Sequence, residues 1–158
     1  MPDDIATLVD AVRRHYDDEC FACGRDNPIG LHLDDFDLVD GLVSARFTPR
    51  PEYRGAGTSL HGGVAVTALD EILVWAGILT EGVLSVTGNI GLRFVRPVEV
   101  DDPIVVSARV DDRSGRRLRI SGELSVSGER RVEASGLYLV SVTVADLLAG
   151  HGHSVAGG

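Results

Sequence analysis

The sequence predicts an α+β domain in which a curved antiparallel sheet of about six strands wraps one long central helix. Residues 61–82 are almost continuously apolar over about five helical turns, which is typical of a helix buried on every side. The second half of the chain alternates apolar and polar residues in segments separated by turn sequences such as "DDRSGR" and "VSGER". A curved sheet with one apolar face can enclose such a helix, so the two observations together favour this architecture.

The elements before the long helix are short. Residues 4–18 place apolar side chains at positions 5, 8, 9 and 12, a spacing that predicts a helix. The segment "CGRDNPIG" predicts a loop, and "LHLDDFDL" and "LVSARFTP" predict two strands joined by a hairpin turn near Asp40-Gly41. The loop "RPEYRGAGTSL" leads into the long helix, which we expect to end at Gly82.

The strands predicted after the long helix are "VTGNIGLRFVRPVEV", "IVVSARV", "RRLRISGELSV" and "RRVEASGLYLVSVTV". In the first of them, alternation predicts one apolar face formed by Val86, Ile90, Leu92, Phe94, Val98 and Val100. We expect a single domain at 20–147, with an N-terminal helical extension at 1–19 and a flexible tail at 148–158. His151 and His153 in this tail are of a metal-ligand type, but a disordered Gly-rich tail is the favoured interpretation.

Composition and charge exclude several classes of function. The formal net charge is −9, whereas nonspecific nucleic-acid binding needs a basic surface. All 15 basic residues are arginine, which excludes lysine Schiff-base and P-loop chemistry. Asp70 and Glu71 interrupt the longest apolar stretch, so no membrane span is predicted. The acidic start is patterned as a helix and lacks the features of a secretory signal, so we expect a cytoplasmic protein.

The two cysteines, Cys20 and Cys23, form the motif "CFAC". A CxxC pair in a cytosolic chain can bind zinc or exchange electrons. Zinc needs further ligands, for which His15 and His32 are the near candidates, and a redox role needs a thioredoxin-like βαβ unit that is not predicted here. We interpret the pair as reduced, packed thiols and predict neither a metal nor a cofactor.

Three motifs in order carry a resemblance to a known family. They are "CFACGRDNPIGLHL", then "HGG" with a carboxylate nine residues after its histidine, and then "TGNIGLRFVRPV". Together they make the region from Cys20 to Val144 resemble the hotdog-fold acyl-CoA thioesterases, particularly the PaaI-like (phenylacetyl-CoA) branch. Several members carry Asn or Gln in the loop before HGG, and the loop "RGAGTSL" of this chain has neither.

The resemblance implies a hotdog fold and a hydrolase that cleaves acyl-CoA, or an acyl carrier protein thioester, without a cofactor. It implies a homo-oligomer, either a dimer or a dimer of dimers. It also implies that the Gly62 amide, assisted by Gly63, donates to the developing oxyanion, that Asp70 is the base or the nucleophile, and that Thr87 positions the water or the thioester.

The residues themselves allow these roles and leave alternatives open. A helix that begins at His61-Gly62-Gly63 offers unpaired N–H groups and the positive end of a dipole, although a plain glycine-rich helix start looks the same. Asp70 can also be a structural acid at a subunit interface. Glu71 is rotated by about 100° along the helix and is the second choice. His61 either bonds the substrate carbonyl or fixes the loop.

The other candidate residues lie mainly on the strands. Alternation places Thr87 opposite Ile90, so a bulge at Gly88 is needed to bring it to the helix side, and Asn89 is a weaker candidate. Two sets of arginines are candidates for the phosphates of coenzyme A or are solvated surface groups. These are Arg93 and Arg96, and Arg113, Arg116 and Arg117. Trp75 and Tyr53 line an acyl pocket or belong to the core.

The spacing of the candidate groups predicts a shared site. Gly62 and Asp70 are eight residues apart, which is about 12 Å along a helix. One carbonyl cannot lie within about 3 Å of both groups in the same chain, so we expect them to come from two chains. A noncatalytic acyl-CoA-binding hotdog protein is the alternative function. The differently placed His and acid pair of hotdog dehydratases is not found in the sequence.

Overall fold

The computed structural model describes residues 4–150, so His151 and His153 lie outside the described residues. The helices are α1 (Ile5–His15), α2 (Gly62–Glu81) and α3 (Val144–Leu148), with a short 3-10 helix at Pro51–Tyr53. The strands are β1 (Asp34–Val39), β2 (Leu42–Phe47), β3 (Val83–Phe94), β4 (Ile104–Ser114), β5 (Arg117–Val126) and β6 (Glu129–Thr143). They form one antiparallel sheet in the order β1-β2-β4-β5-β6-β3, which leaves β1 and β3 at its edges.

The long helix α2 lies against the concave face of this sheet, as predicted. Its buried side chains include Leu69, Ile72, Leu73 and Trp75. Gly82 ends the helix in the left-handed conformation, with φ of 63°, which is the role expected of a glycine at this position. By length and mean hydropathy α2 could cross a membrane, but it belongs to the hydrophobic core that it forms with the sheet.

The predicted hairpins are present. Asp40 and Gly41, between β1 and β2, have φ of 49° and 78°. Ser127 and Gly128, between β5 and β6, have φ of 51° and 77°. Two consecutive residues with positive φ give a turn whose twist matches that of antiparallel strands. These turns therefore fix the register on both sides of the sheet.

The apolar face predicted for 86–100 is only partly confirmed, because Ile90 and Leu92 pack against the core while Val86 and Phe94 are exposed. The strand β3 begins at Val83 and ends at Phe94, and its pairing with β6 shifts register at Leu84/Ser85 and again at Thr87/Asn89. The shift at Thr87/Asn89 inverts the alternation, so Val86 lies on the face opposite Ile90 and is 48% exposed. Phe94, at the end of the strand, is 54% exposed. Val98 and Val100 are buried, but they lie in the loop after β3.

The helix α1 is packed onto the domain. Leu8, Val9 and Val12 are buried in the common core. The buried Arg13 guanidinium donates to the Leu33 carbonyl oxygen at 2.6 Å and pairs with Asp34 at 3.2 Å. These contacts hold α1 against the start of β1 and position the loop between them, which contains both cysteines.

We expect Gly122→Ala to lower the free energy of unfolding by about 1–3 kcal/mol, because it overpacks the interface between the sheet and α2. A Cβ at Gly122 would lie 2.4 Å from the Ser107 carbonyl oxygen and 3.0 Å from Leu73 Cδ1. The control is Gly91→Ala, where the nearest such atom is the Ser135 oxygen at 4.0 Å. Urea denaturation measures both variants, and an equal loss in the two would contradict the packing argument.

Candidate active site

The amino end of α2 leaves one backbone donor free. His61 is the residue before the helix, and its Nδ1 accepts a hydrogen bond from the Gly63 N–H at 2.9 Å. The Val64 and Ala65 N–H groups donate to the His61 carbonyl oxygen. Within residues 4–150, the Gly62 N–H donates to no acceptor. The Gly62 N–H is therefore available to a ligand, whereas the Gly63 N–H already serves the cap.

A cavity of about 400 Å³ lies beside this free donor. Gly62, Ala65, Phe94, Arg96 and Pro97 are among the residues that line it. An acyl carbonyl in this cavity can meet the Gly62 amide at the positive end of the helix dipole.

Asp70 is held by two hydroxyl groups on one of its oxygens. The Thr87 hydroxyl donates to Asp70 Oδ1 at 2.8 Å, and the Tyr138 hydroxyl donates to the same oxygen at 2.7 Å. Burial, together with the hydrogen bond to Asp70, raises the pKa of Tyr138, so the phenol remains a protonated donor. The other carboxylate oxygen accepts no hydrogen bond from any group in the described part of the chain. Asp70 is thus oriented with one oxygen free to act.

A bulge brings Thr87 to the helix side, as its candidate role requires. Thr87 pairs with Tyr138 and Asn89 pairs with Leu137, so Gly88 is the extra residue between them. A Cβ at Gly88 would lie 2.9 Å from the Leu137 carbonyl oxygen. Glycine therefore permits the close approach of β6 at this bulge.

The sequence analysis did not identify Tyr138 as a site residue, although the alternation of β6 indicates that its side chain is buried. It alternates with Val132, Ala134 and Gly136 on the buried face of β6. A Cβ at Gly136 would lie 2.8 Å from Tyr138 Cε2, so this glycine makes room for the ring. A buried tyrosine needs a partner for its hydroxyl. The long helix facing that side of the sheet carries Asp70 as such a partner.

Glu71 points away from Asp70. Its Oε1 accepts from the Trp75 indole N–H at 2.9 Å and lies 3.8 Å from Cys20 Sγ. Burial and the neighbouring Cys20 raise the pKa of Glu71 to about 7. Trp75 itself is a core residue, which was one of the two alternatives for it. The structure therefore separates the two adjacent acids into different surroundings.

The remaining candidates are mostly on the surface. Arg93 and Arg96 form ion pairs with Glu133 and Glu129, both at 2.8 Å, and only Arg96 of these two lines the Gly62 cavity. Asn89 is exposed beside the bulge. Further contacts involve Arg113 with Glu81, Arg116 with the Val140 carbonyl, and Tyr53 with the carbonyls of Ile29 and Gly30.

Comparison with known sequences matches residues 57–133 to the family model described as the thioesterase superfamily. The acyl-coenzyme A thioesterase THEM4 of Bos taurus is 32% identical over 95 residues, which cover 59% of this chain and 38% of THEM4. The chain thus spans less than half the length of this relative.

Solved structures are similar over a larger part of the chain. The E. coli PaaI protein of the phenylacetic acid degradation operon is 16% identical with a TM-score of 0.67, covering 85% of this chain and 95% of PaaI. A hypothetical thioesterase protein from Streptococcus pneumoniae TIGR4, solved with coenzyme A, is 16% identical with a TM-score of 0.64. This match covers 71% of our chain and 98% of that protein. At these identities the likeness establishes a shared fold.

We expect His61→Ala to lower the free energy of unfolding by about 1 kcal/mol, because it removes the side-chain acceptor of the Gly63 N–H. His61→Asn should keep most of this stability, since asparagine is a good acceptor at the same position. Urea denaturation measures both. Equal stability of the alanine and wild-type proteins would show that the cap does not hold this helix end.

Proposed function

Because residues 57–133 of this chain match the thioesterase-superfamily model and the chain shares the fold of solved thioesterases, we propose that the protein hydrolyses acyl-CoA thioesters to a free acid and coenzyme A. The observation that carries this proposal is the orientation of Asp70. Two donors hold one carboxylate oxygen, and the other is left for a water molecule or an acyl carbon. This arrangement suits a reacting carboxylate better than a buried structural one.

The reaction follows from the two groups on α2. The Gly62 N–H donates to the thioester oxygen and stabilises the negative charge that develops there. Asp70 either takes a proton from the attacking water or attacks the carbonyl itself, forming an anhydride that water then cleaves. In both routes the carbon–sulfur bond breaks and the coenzyme A thiolate leaves. Thr87 and Tyr138 act as positioning residues because they fix the carboxylate.

The two groups act together in a homodimer. Gly62 and Asp70 are eight positions apart, which is about 12 Å along α2 and too far for both to contact one carbonyl. The strand β3 is an unpaired edge, and the exposed apolar side chains on or beside this side of the sheet are Val86, Phe94, Val95 and Leu139. Pairing of two such edges places Gly62 of one protomer near Asp70 of the partner subunit. A dimer of dimers and a cytoplasmic location belong to the same proposal.

Two similar proteins and the lining of the Gly62 cavity support coenzyme A as the acyl carrier. THEM4 is named as an acyl-coenzyme A thioesterase, and the S. pneumoniae protein was solved with coenzyme A. Arg96 lines the Gly62 cavity and is partly neutralised by Glu129, so it is our candidate for a phosphate contact.

We expect Asp70→Asn to lower kcat by at least about 100-fold, because it removes the reacting carboxylate while keeping an oxygen for Thr87 and Tyr138. The loss of the thioester ultraviolet absorbance, followed over a panel of acyl-CoAs, measures this without interference from protein thiols. The midpoint of urea unfolding is the control. A wild-type protein that turns over none of the panel, yet is thermally stabilised by acyl-CoA, would contradict the enzyme and support a binding protein.

A heterodimer of Asp70→Asn and Gly62→Pro protomers tests the shared site. Proline removes the Gly62 N–H at a position where a helix tolerates it, and His61, with φ of −60° and ψ of 132°, already has the backbone favoured before proline. Each homodimer should be inactive. The heterodimer contains one intact composite site and should recover about half of the wild-type activity per dimer.

Co-expression with two different affinity tags isolates this heterodimer. The control is a heterodimer of wild-type and doubly substituted protomers, in which each composite site contains one lesion and activity should be lost. The reverse result, with an active control and an inactive mixed heterodimer, would show that both groups act within one chain.

A further inference from the structure

Three metal-ligand groups meet outside the candidate active site. Cys20 Sγ, Cys23 Sγ and a Glu71 carboxylate oxygen all lie within 4.8 Å of one another. The cysteines come from the loop between α1 and β1, and Glu71 comes from the middle of α2. None of the three has a role in the proposed hydrolysis.

The cysteine loop is a tight turn that holds Cys20 beside Glu71. The Cys20 thiol donates to Glu71 Oε1 at 3.8 Å. The Gly24 N–H donates to the Cys20 carbonyl oxygen at 2.9 Å, which closes the turn. A Cβ at Gly24 would lie 2.4 Å from the Asp18 oxygen, so only glycine fits there. The turn therefore brings both sulfurs close to the Glu71 carboxylate.

Glu71 lacks a cationic partner. Among residues 4–150 it forms no ion pair with an arginine or a histidine, and its one strong hydrogen bond comes from the Trp75 indole. A carboxylate beside two sulfurs in a largely apolar setting costs free energy unless positive charge balances it. A bound cation supplies that charge.

The distances fit zinc. Typical bond lengths are about 2.3 Å for Zn–S and about 2.0–2.2 Å for Zn–O, so tetrahedral coordination places the sulfur and oxygen ligands about 3.5 Å apart. The observed separation between Cys20 Sγ and Glu71 Oε1 is 3.8 Å. All three ligand atoms lie within 4.8 Å of one another, so they need to approach by about 1 Å at most to reach this separation. A cavity of about 410 Å³, lined by all three residues, gives access for the ion and room for a water ligand.

The histidines considered earlier do not belong to this group. His32 contacts the Asn27 carbonyl and, at 3.3 Å, the Arg50 guanidinium. His15 packs edge-on against Tyr16. A disulfide between Cys20 and Cys23 would use two of the three groups and leave Glu71 without positive charge, so the arrangement favours a metal over a redox pair.

We propose that Cys20, Cys23 and Glu71 bind one Zn²⁺ ion, with a water molecule as the fourth ligand. Binding releases the two thiol protons and joins the α1–β1 loop to α2. The site is separate from the proposed hydrolysis and does not depend on it.

The experiment titrates reduced, chelator-treated full-length protein with Zn²⁺ in a calorimeter. We expect one ion per chain and a fall of at least tenfold in the alkylation rate of the thiols. Co²⁺ substituted for Zn²⁺ should give the sulfur-to-cobalt absorption band and the intense visible bands of a tetrahedral site. Cys23→Ser should weaken binding at least tenfold and reduce the sulfur band.

Glu71→Gln is the decisive variant, because it keeps the shape of the side chain and an acceptor for Trp75. We expect it to weaken Zn²⁺ binding at least tenfold. The matched control is Glu19→Gln, since Glu19 lines the same cavity but is outside the three-atom group, and its affinity should be unchanged.

Several results would overturn the proposal. They are no Zn²⁺ uptake by the reduced wild type, equal affinity of the Glu71→Gln and wild-type proteins, and ready disulfide formation with glutathione disulfide in a protein that lacks zinc affinity. If Cys23→Ser does not fold, thiol protection in the wild type and the Glu71→Gln titration still decide the question.

Discussion

The structure depends on how one enclosed helix accommodates two adjacent carboxylates. Consecutive residues on a helix point about 100° apart, so Asp70 and Glu71 face different neighbours. Asp70 meets the hydroxyls of Thr87 and Tyr138, and Glu71 meets the Trp75 indole and the Cys20 thiol. A buried acid without donors or positive charge would destabilise the fold. Both acids therefore need nearby donors. The bulge in β3 and the tyrosine on β6 place donors beside Asp70, and the cysteine loop places one beside Glu71.

The edge position of β3 connects the fold to the proposed chemistry. An antiparallel sheet of six strands has two edges, and the strand that contacts Asp70 is at one of them. Its bulge at Gly88 turns Thr87 toward the helix, while Val86 and Phe94 remain exposed. The same strand thus orients the carboxylate that is proposed to react and offers a surface for a second protomer. The free Gly62 amide is about 12 Å from Asp70 along α2, so one chain cannot place both groups at one carbonyl. In the proposed dimer the second protomer supplies the missing group.

Local patterns in the sequence predicted much of the fold. The bounds of α2, the hairpin at Asp40-Gly41 and the alternation of β5 depend on neighbouring residues, and the structure confirms them. The face of β3 could not be predicted by counting, because a bulge inverts alternation and its position depends on the pairing with β6. The alternation of residues in β3 predicted a bulge at Gly88 only on the assumption that Thr87 has a role in the site. Tyr138 and Cys20 reach the two acids from 68 and 51 residues away, which no periodicity encodes.

The two acids keep the two proposed sites apart although they are adjacent in the sequence. Asp70 accepts from hydroxyls on β3 and β6, whereas Glu71 accepts from the Trp75 indole and the Cys20 thiol. These two sets of donors share no side chain. A cation beside Glu71 would therefore neutralise that carboxylate without removing a donor from Asp70. The loss of the proposed metal and the loss of the proposed hydrolysis are thus separable effects on one helix.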